Sequence, residues 1–424
     1  MSDTKKYLMP MIIIGGLFFI YGFVTWLNSV LIPFLRQACE LTDFQAYFVT
    51  LAFYISYFIM AIPSSVILKK IGFTKGMSVG LGVMAIGSLV FIPAALTRAY
   101  PLFLFGLFVM GTGMTLLQTA SNPYMTIIGP IESAAKRISI MGICNKVAGM
   151  IGIFILVELL FSDTQALTQR IETLSGSELA AELDILASRV IAPYTIMAIV
   201  LAGFALLILR AHLPEINPEE ESEATGDDSQ GKSSVFEFPH LMLGVICIFV
   251  YVGVEVIAID TIGLYGQYLG FDLNTASKFG IYSLIALVVG YLIGVAVMPK
   301  YLSQRNALAL CACLGFVFTL LALFTHGAVS IGFIVLLSFA HALMWPCIWP
   351  LAIDKLGRFT KIGSALLIMG IAGGAILPLA YGAFADISNR QSAYWIVLPL
   401  YLYILFFAMK GYRVGRGKLA TQSV

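Results

Sequence analysis

The chain has 424 residues, 59% of them hydrophobic and only 11% charged, with a formal net charge of +2. Soluble domains run at about 45–50% apolar and 25% charged, so a soluble enzyme or binding module is excluded and a polytopic helical membrane protein is expected. The near-neutral charge argues neither for nor against nucleic acid.

Apolar stretches of roughly 17–25 residues, each long enough to cross hydrocarbon, fall near 9–35, 44–68, 76–96, 101–127, 136–161 and 191–211. Six more follow near 239–268, 275–299, 306–325, 328–352, 362–385 and 393–411. The first run is too long for a cleavable signal, and no small-residue cleavage site follows it. Two connections are long. Residues 162–190 are polar with helix-like spacing, and the acidic stretch from Leu213 has too little apolar content to fold. That stretch divides the chain into an N-terminal six-helix bundle (1–212), an acidic cytoplasmic linker (213–238) and a C-terminal six-helix bundle (239–424). Five of the six cysteines (Cys144, Cys247, Cys311, Cys313, Cys347) lie inside spans, while Cys39 has no evident loop partner. They read as small packing residues rather than as disulfides or metal ligands.

The polar residues inside the spans carry the functional information. The first span holds Tyr21, Thr25, Trp26, Asn28 and Ser29, with Thr25, Asn28 and Ser29 at helical spacing. The fourth holds Gln118 and Asn122, four apart and followed by Pro123; the fifth holds Asn145 and Lys146. The seventh holds Tyr251 and Glu255, four apart, then Asp260, Thr261, Tyr265 and Gln267. The tenth places His341 ahead of Trp345 and Trp349, which share a face between prolines. Amides and hydroxyls beside aromatic rings suit a sugar, whose hydroxyls need fixed hydrogen-bond partners and whose C–H faces need flat apolar surfaces. The competing reading is that such groups only bond neighbouring helices.

Lys146 is the only one of 25 Lys and Arg residues in the middle of an apolar run. A cation in hydrocarbon is expensive and needs a partner; Glu255 and Asp260 are the candidates. These acids are five residues apart, about 140° around a regular helix, so they do not share a face unless the Gly and Thr residues near them unwind the span. Glu158, near the outer end of the fifth span, reads as an interfacial residue, and Asp354 and Asp386 as span-end residues.

With a cytoplasmic N-terminus the inner span ends carry 18 basic residues and the outer ends six (Arg36, Arg98, Arg170, Arg189, Lys278, Arg390). This bias predicts both termini inside. The basic turns after the second and eighth spans, at Lys69–Lys75 and Lys300–Arg305, echo each other. Such internal repetition is common in secondary transporters, whose substrate sites lie near the midplane between repeats.

At Phe18–Pro33, Leu116–Tyr124, Gly129–Arg137, Asn145–Gly149, Tyr251–Glu255 and Gly363–Gly374 the chain resembles the fucose/glucose/galactose branch of the major facilitator superfamily. Its look is nearest to bacterial N-acetylglucosamine and glucose permeases, and the likeness covers all twelve spans. It implies an all-α membrane fold of two pseudo-symmetric six-helix bundles, alternating access, and sugar uptake driven by a cation gradient. Proton-coupled fucose permeases carry an aspartate and a glutamate at the positions of Ser29 and Gln118; this chain has neither, so that proton relay does not carry over.

The expected protein is a secondary active transporter that imports a hexose or N-acetylhexosamine with H⁺ or Na⁺ across a bacterial inner membrane. It is expected to act as a monomer, with no cofactor and no nucleic-acid partner. Thr25, Asn28, Gln118, Asn122, Asn145 and Trp345 would line the sugar site. Glu255, Asp260 and Lys146 would couple the ion, a Na⁺ being placed near Glu255, and Lys146 would keep that carboxylate ionised. An exporter of amphipathic compounds or a non-transporting sugar sensor are the alternatives. No motif for an enzyme is present.

Overall fold

The computed structural model describes residues 3–127, 134–161, 170, 173–211, 233–298, 301–356 and 359–415; the side chains of residues 3–10, 122–127, 134–139, 360 and 361 also lie outside the description. Twelve helices long and apolar enough to cross a membrane stand among them, and no strand. Spans 1–6 are Met11–Ala38, Asp43–Ile71, Phe73–Leu96, Tyr100–Ser121, Ile140–Phe161 and Gly176–Arg210. Spans 7–12 are Pro239–Asp260, Leu273–Val297, Gln304–Phe324, Gly327–Ile353, Ile362–Ile387 and Ser392–Arg413. All twelve expected spans are present as helix, which satisfies its own backbone groups in hydrocarbon. Part of the polar stretch expected between spans 5 and 6 forms the helix Gly176–Ser188, which leads directly into Ile191–Arg210 and has Leu183 and Leu186 buried. Much of the acidic segment expected as a linker, residues 213–232, lies outside the described residues.

The packing repeats. In the first six spans, 1 packs on 5, 2 on 4, 3 on 4 and 3 on 6; in the second six, 7 packs on 11, 8 on 10, 9 on 10 and 9 on 12. Each pair reappears six spans later, so the molecule is two pseudo-symmetric six-helix bundles. Span 5 packs on 8, span 2 on 11 and span 1 on 7 to join them. Glycine permits the closest crossings. A β-carbon at Gly22 would collide with the backbone carbonyl of Asn145, and one at Gly373 with that of Phe249.

Three spans are interrupted along their length, and span 7 turns at its end. Span 1 turns at Leu27, between Trp26 and Asn28. Span 7 turns at Thr261 and continues as Ile262–Tyr268; there the Thr261 hydroxyl donates to the Ile257 carbonyl at 2.7 Å, a side-chain bond that competes with helical pairing. Span 10 breaks after His341 and resumes at Met344, where Pro346 cannot donate to the Ala342 carbonyl. Span 11 tightens into a 3₁₀ turn at Gly370–Ala372.

At the end opposite the termini the two bundles are latched. Asp43 accepts from Arg36 Nε at 2.7 Å and from Arg390 Nε and Nη2 at 2.6 and 2.8 Å. Asp386 accepts the backbone N–H of Asp43 and Phe44 at 3.0 and 2.9 Å. Burial works against the Arg390 charge, but its bonds to Asp43 outweigh that cost and hold the guanidinium above its ordinary range. Lys278 of span 8 pairs with Glu158 of span 5, and the Asn274 amide donates to the Phe161 carbonyl at 3.1 Å.

Candidate functional site

The site is assembled where spans 1, 5, 7 and 10 meet. Lys146 is 8% exposed and its Nζ lies 3.7 Å from Glu255 Oε1, across the boundary between the bundles. The ammonium also sits 4.1 Å from the centroid of Trp26, a cation–π contact. The Trp26 indole N–H donates to Asn145 Oδ1 at 3.2 Å, so the residue beside the lysine fixes the ring beneath it. Asn145 in turn reaches the Phe18 carbonyl at 3.5 Å. On the other side Tyr251 OH donates to Glu255 Oε2 at 2.9 Å, the i,i+4 spacing on one helix face bringing them together.

Aromatic rings continue the wall. Tyr251 lies 6.3 Å from Trp345, and Trp345 stacks on Trp349 at 5.4 Å and 28°. His341 is fully buried, with its Nε2 2.7 Å from Tyr401 OH. Among the described residues no three His, Cys, Asp or Glu side chains come together as metal ligands.

The remaining predicted residues fall around this centre. Gln118 is half-buried and donates to Tyr57 OH at 2.9 Å; Tyr57 is a neighbour the sequence did not single out. Tyr21 bonds the Leu117 carbonyl at 3.1 Å and the Ser121 hydroxyl. Thr25 is half-buried on span 1. Asn28 is 1% exposed and its Nδ2 has no partner. The Asn122 side chain lies outside the described residues. Asp260 is fully buried and does not pair with Lys146; neither of its oxygens has a hydrogen-bond donor. Of the acids considered for Lys146, Glu255 is the one it meets, while Glu158 is taken by Lys278.

The arrangement is a charge pair between two bundles, walled by indoles and phenols and edged by amides. An ion pair of this kind holds only while both halves stay in register, so whatever separates the bundles must first release it.

A family model described as Major Facilitator Superfamily matches residues 14–375. The chain is 33% identical to the glucose/galactose transporter of Brucella abortus (strain 9-941) over 418 residues, covering 97% of this chain and 96% of the relative. It is 28% identical to the L-fucose-proton symporter of Escherichia coli K12 over 409 residues, covering 96% and 93%. The solved structure of a major facilitator transporter, FucP, in the outward conformation superposes with a TM-score of 0.69 at 28% identity, over 95% of this chain and 98% of that one. From its spans, its repeated packing and these likenesses, the chain belongs to the major facilitator superfamily.

Proposed function

We propose that this chain imports a neutral hexose or N-acetylhexosamine, of the glucose, galactose or N-acetylglucosamine class, by alternating access with a coupling proton. The observation that carries the reading is the Lys146–Glu255 pair spanning the two bundles at 3.7 Å within an aromatic wall. The relatives named for glucose, galactose and fucose support it. One base matched by one acid leaves the wall without net charge, which favours a neutral sugar over an anionic one. Thr25, Asn28, Gln118, Asn145 and Trp345 are assigned to the sugar, with Asn122 added on its sequence spacing from Gln118 alone, and Glu255 with Lys146 links the sugar to the movement of the bundles. A proton is favoured over sodium because the ammonium already occupies the cation position beside Glu255. The relative named as a proton symporter points the same way.

The excess of basic residues at the inner span ends supports a bacterial inner-membrane orientation with both termini cytoplasmic. The Asp43–Arg390 latch then closes the outer side. The segments 1–212 and 239–424 act as the two moving bodies, joined by the acidic segment 213–238, and one chain in the bilayer suffices for the cycle. Reconstituted vesicles offered a sugar panel under separately imposed pH and sodium gradients test the reading. Accumulation driven by the pH gradient alone is expected, and Glu255→Gln, which strands Lys146 between the bundles, should slow accumulation and counterflow together. A protein that neither exchanges nor accumulates any of these sugars sinks the proposal.

A further inference from the structure

The two buried acids of span 7 live in opposite circumstances. Glu255 has a cation and a phenol. Asp260, at the end of the same helical segment, is 0% exposed with both oxygens unpartnered. An ionised carboxylate left this way in a low-dielectric interior costs several kcal/mol, whereas a neutral carboxylic acid bears only the cost of an ordinary buried polar group.

Among the described residues, the elements packed around Asp260 offer no counter-charge. On its own span the ionisable neighbour is Glu255, of like sign, and on span 2 it is the phenol of Tyr54. The span 1 segment that packs on Ile262–Tyr268, just beyond Asp260, begins with the neutral Asn28. At the next residue, the Thr261 hydroxyl lies 2.8 Å from that of Tyr394 of span 12, on which Tyr381 of span 11 is ring-packed at 5.0 Å. The bases on neighbouring spans are committed elsewhere: Lys146 to Glu255, His341 to Tyr401, Lys278 to Glu158 and Arg390 to Asp43.

We infer that Asp260 carries the coupling proton, while Glu255 stays a carboxylate held by Lys146. The assignment rests on the proton-coupled sugar-transport reading and divides the labour within it. One proton is taken up by the Asp260 carboxylate from the outer aqueous phase. It leaves to cytoplasmic water when the site opens inward, regenerating the carboxylate. The charge of Lys146, Glu255 and Asp260 together is zero when Asp260 is protonated and −1 when it is not. The latched state described above is therefore the proton-loaded one. The break at Thr261 places the carboxyl at a helix end, where its side chain gains freedom to meet water once the bundles part.

Two measurements test this. In vesicles, Asp260→Asn should still exchange a sugar that the wild type exchanges, but its pH-driven accumulation ratio should fall to one. Retention of pH-driven accumulation by Asp260→Asn overturns the assignment. If the wild type itself moves no sugar, the transport reading has failed, and the second measurement decides the Asp260 assignment without sugar. The infrared spectrum of the purified full-length protein at neutral pH should contain the carbonyl stretch of a protonated carboxylic acid. That band should persist in Glu255→Gln and disappear in Asp260→Asn or shift in Asp260→Glu. A wild-type spectrum without it overturns the assignment, whatever the variants' folding.

Discussion

Lys146 is held by two contacts of different kind, and they do not contribute equally. The cation–π contact with Trp26 is worth about 0.5–2 kcal/mol. Breaking a buried ion pair by removing one partner costs about 3–5 kcal/mol, mostly because the other charge is stranded. Lys146→Met should therefore destabilise this state far more than Trp26→Leu. The double variant Lys146→Met/Glu255→Gln should recover most of the loss, since neither charge is then left alone. Thermal unfolding of the purified protein in detergent checks this: a double variant no more stable than Lys146→Met alone would mean that the pair contributes nothing. The sequence exposed Lys146, Glu255 and Asp260 because charge in hydrocarbon stands out against its surroundings. It did not choose between the acids, because the choice depends on helix rotation and on the Thr261 break, both set by tertiary packing.

Among elements, the crossing of spans 1 and 5 positions the site. Gly22 lets the spans approach until backbone meets backbone at Asn145, the residue beside Lys146. Gly22→Ala must push span 5 away, at about 1–3 kcal/mol for overpacking, and should reduce sugar exchange as Lys146 moves off Glu255. Gly82→Ala supplies the contrast. A β-carbon there meets nothing within 4 Å, so that change should be neutral or stabilise span 3 by up to about 1 kcal/mol through helix propensity. Melting temperatures and counterflow rates of the two variants test the pair of expectations together. The spans were legible because hydrocarbon thickness dictates their length. The latch was not. Arg36 and Arg390 are ordinary span-end bases and Asp43 follows an N-cap threonine, so nothing local marks three residues from distant parts of the chain as one cluster.

For the whole molecule, the repeated contacts describe two bundles, and if these move as bodies the latch is expected to bias one arrangement. Arg390→Ala strands Asp43 with Arg36 alone and removes the bidentate bond across the bundles. Losing one partner of such a buried pair costs about 2–5 kcal/mol, enough to shift a two-state equilibrium at least about tenfold toward the arrangement open at that end. Spin labels at Glu40 and Ser388, both exposed beside the latch, should report a longer distance in Arg390→Ala. An unchanged distance distribution would show that the other contacts at that end suffice to hold it shut. The molecule's four tryptophans give these motions an optical consequence. Trp26 lies under an ammonium and Trp345 and Trp349 stack on each other, whereas Trp395 is 46% exposed and packs edge-on against Phe324. A ligand that draws Lys146 off Trp26 or parts the stacked indoles changes their emission, and Trp395 serves as an internal reference. Intrinsic fluorescence can thus time the release of the charge pair in unlabelled protein.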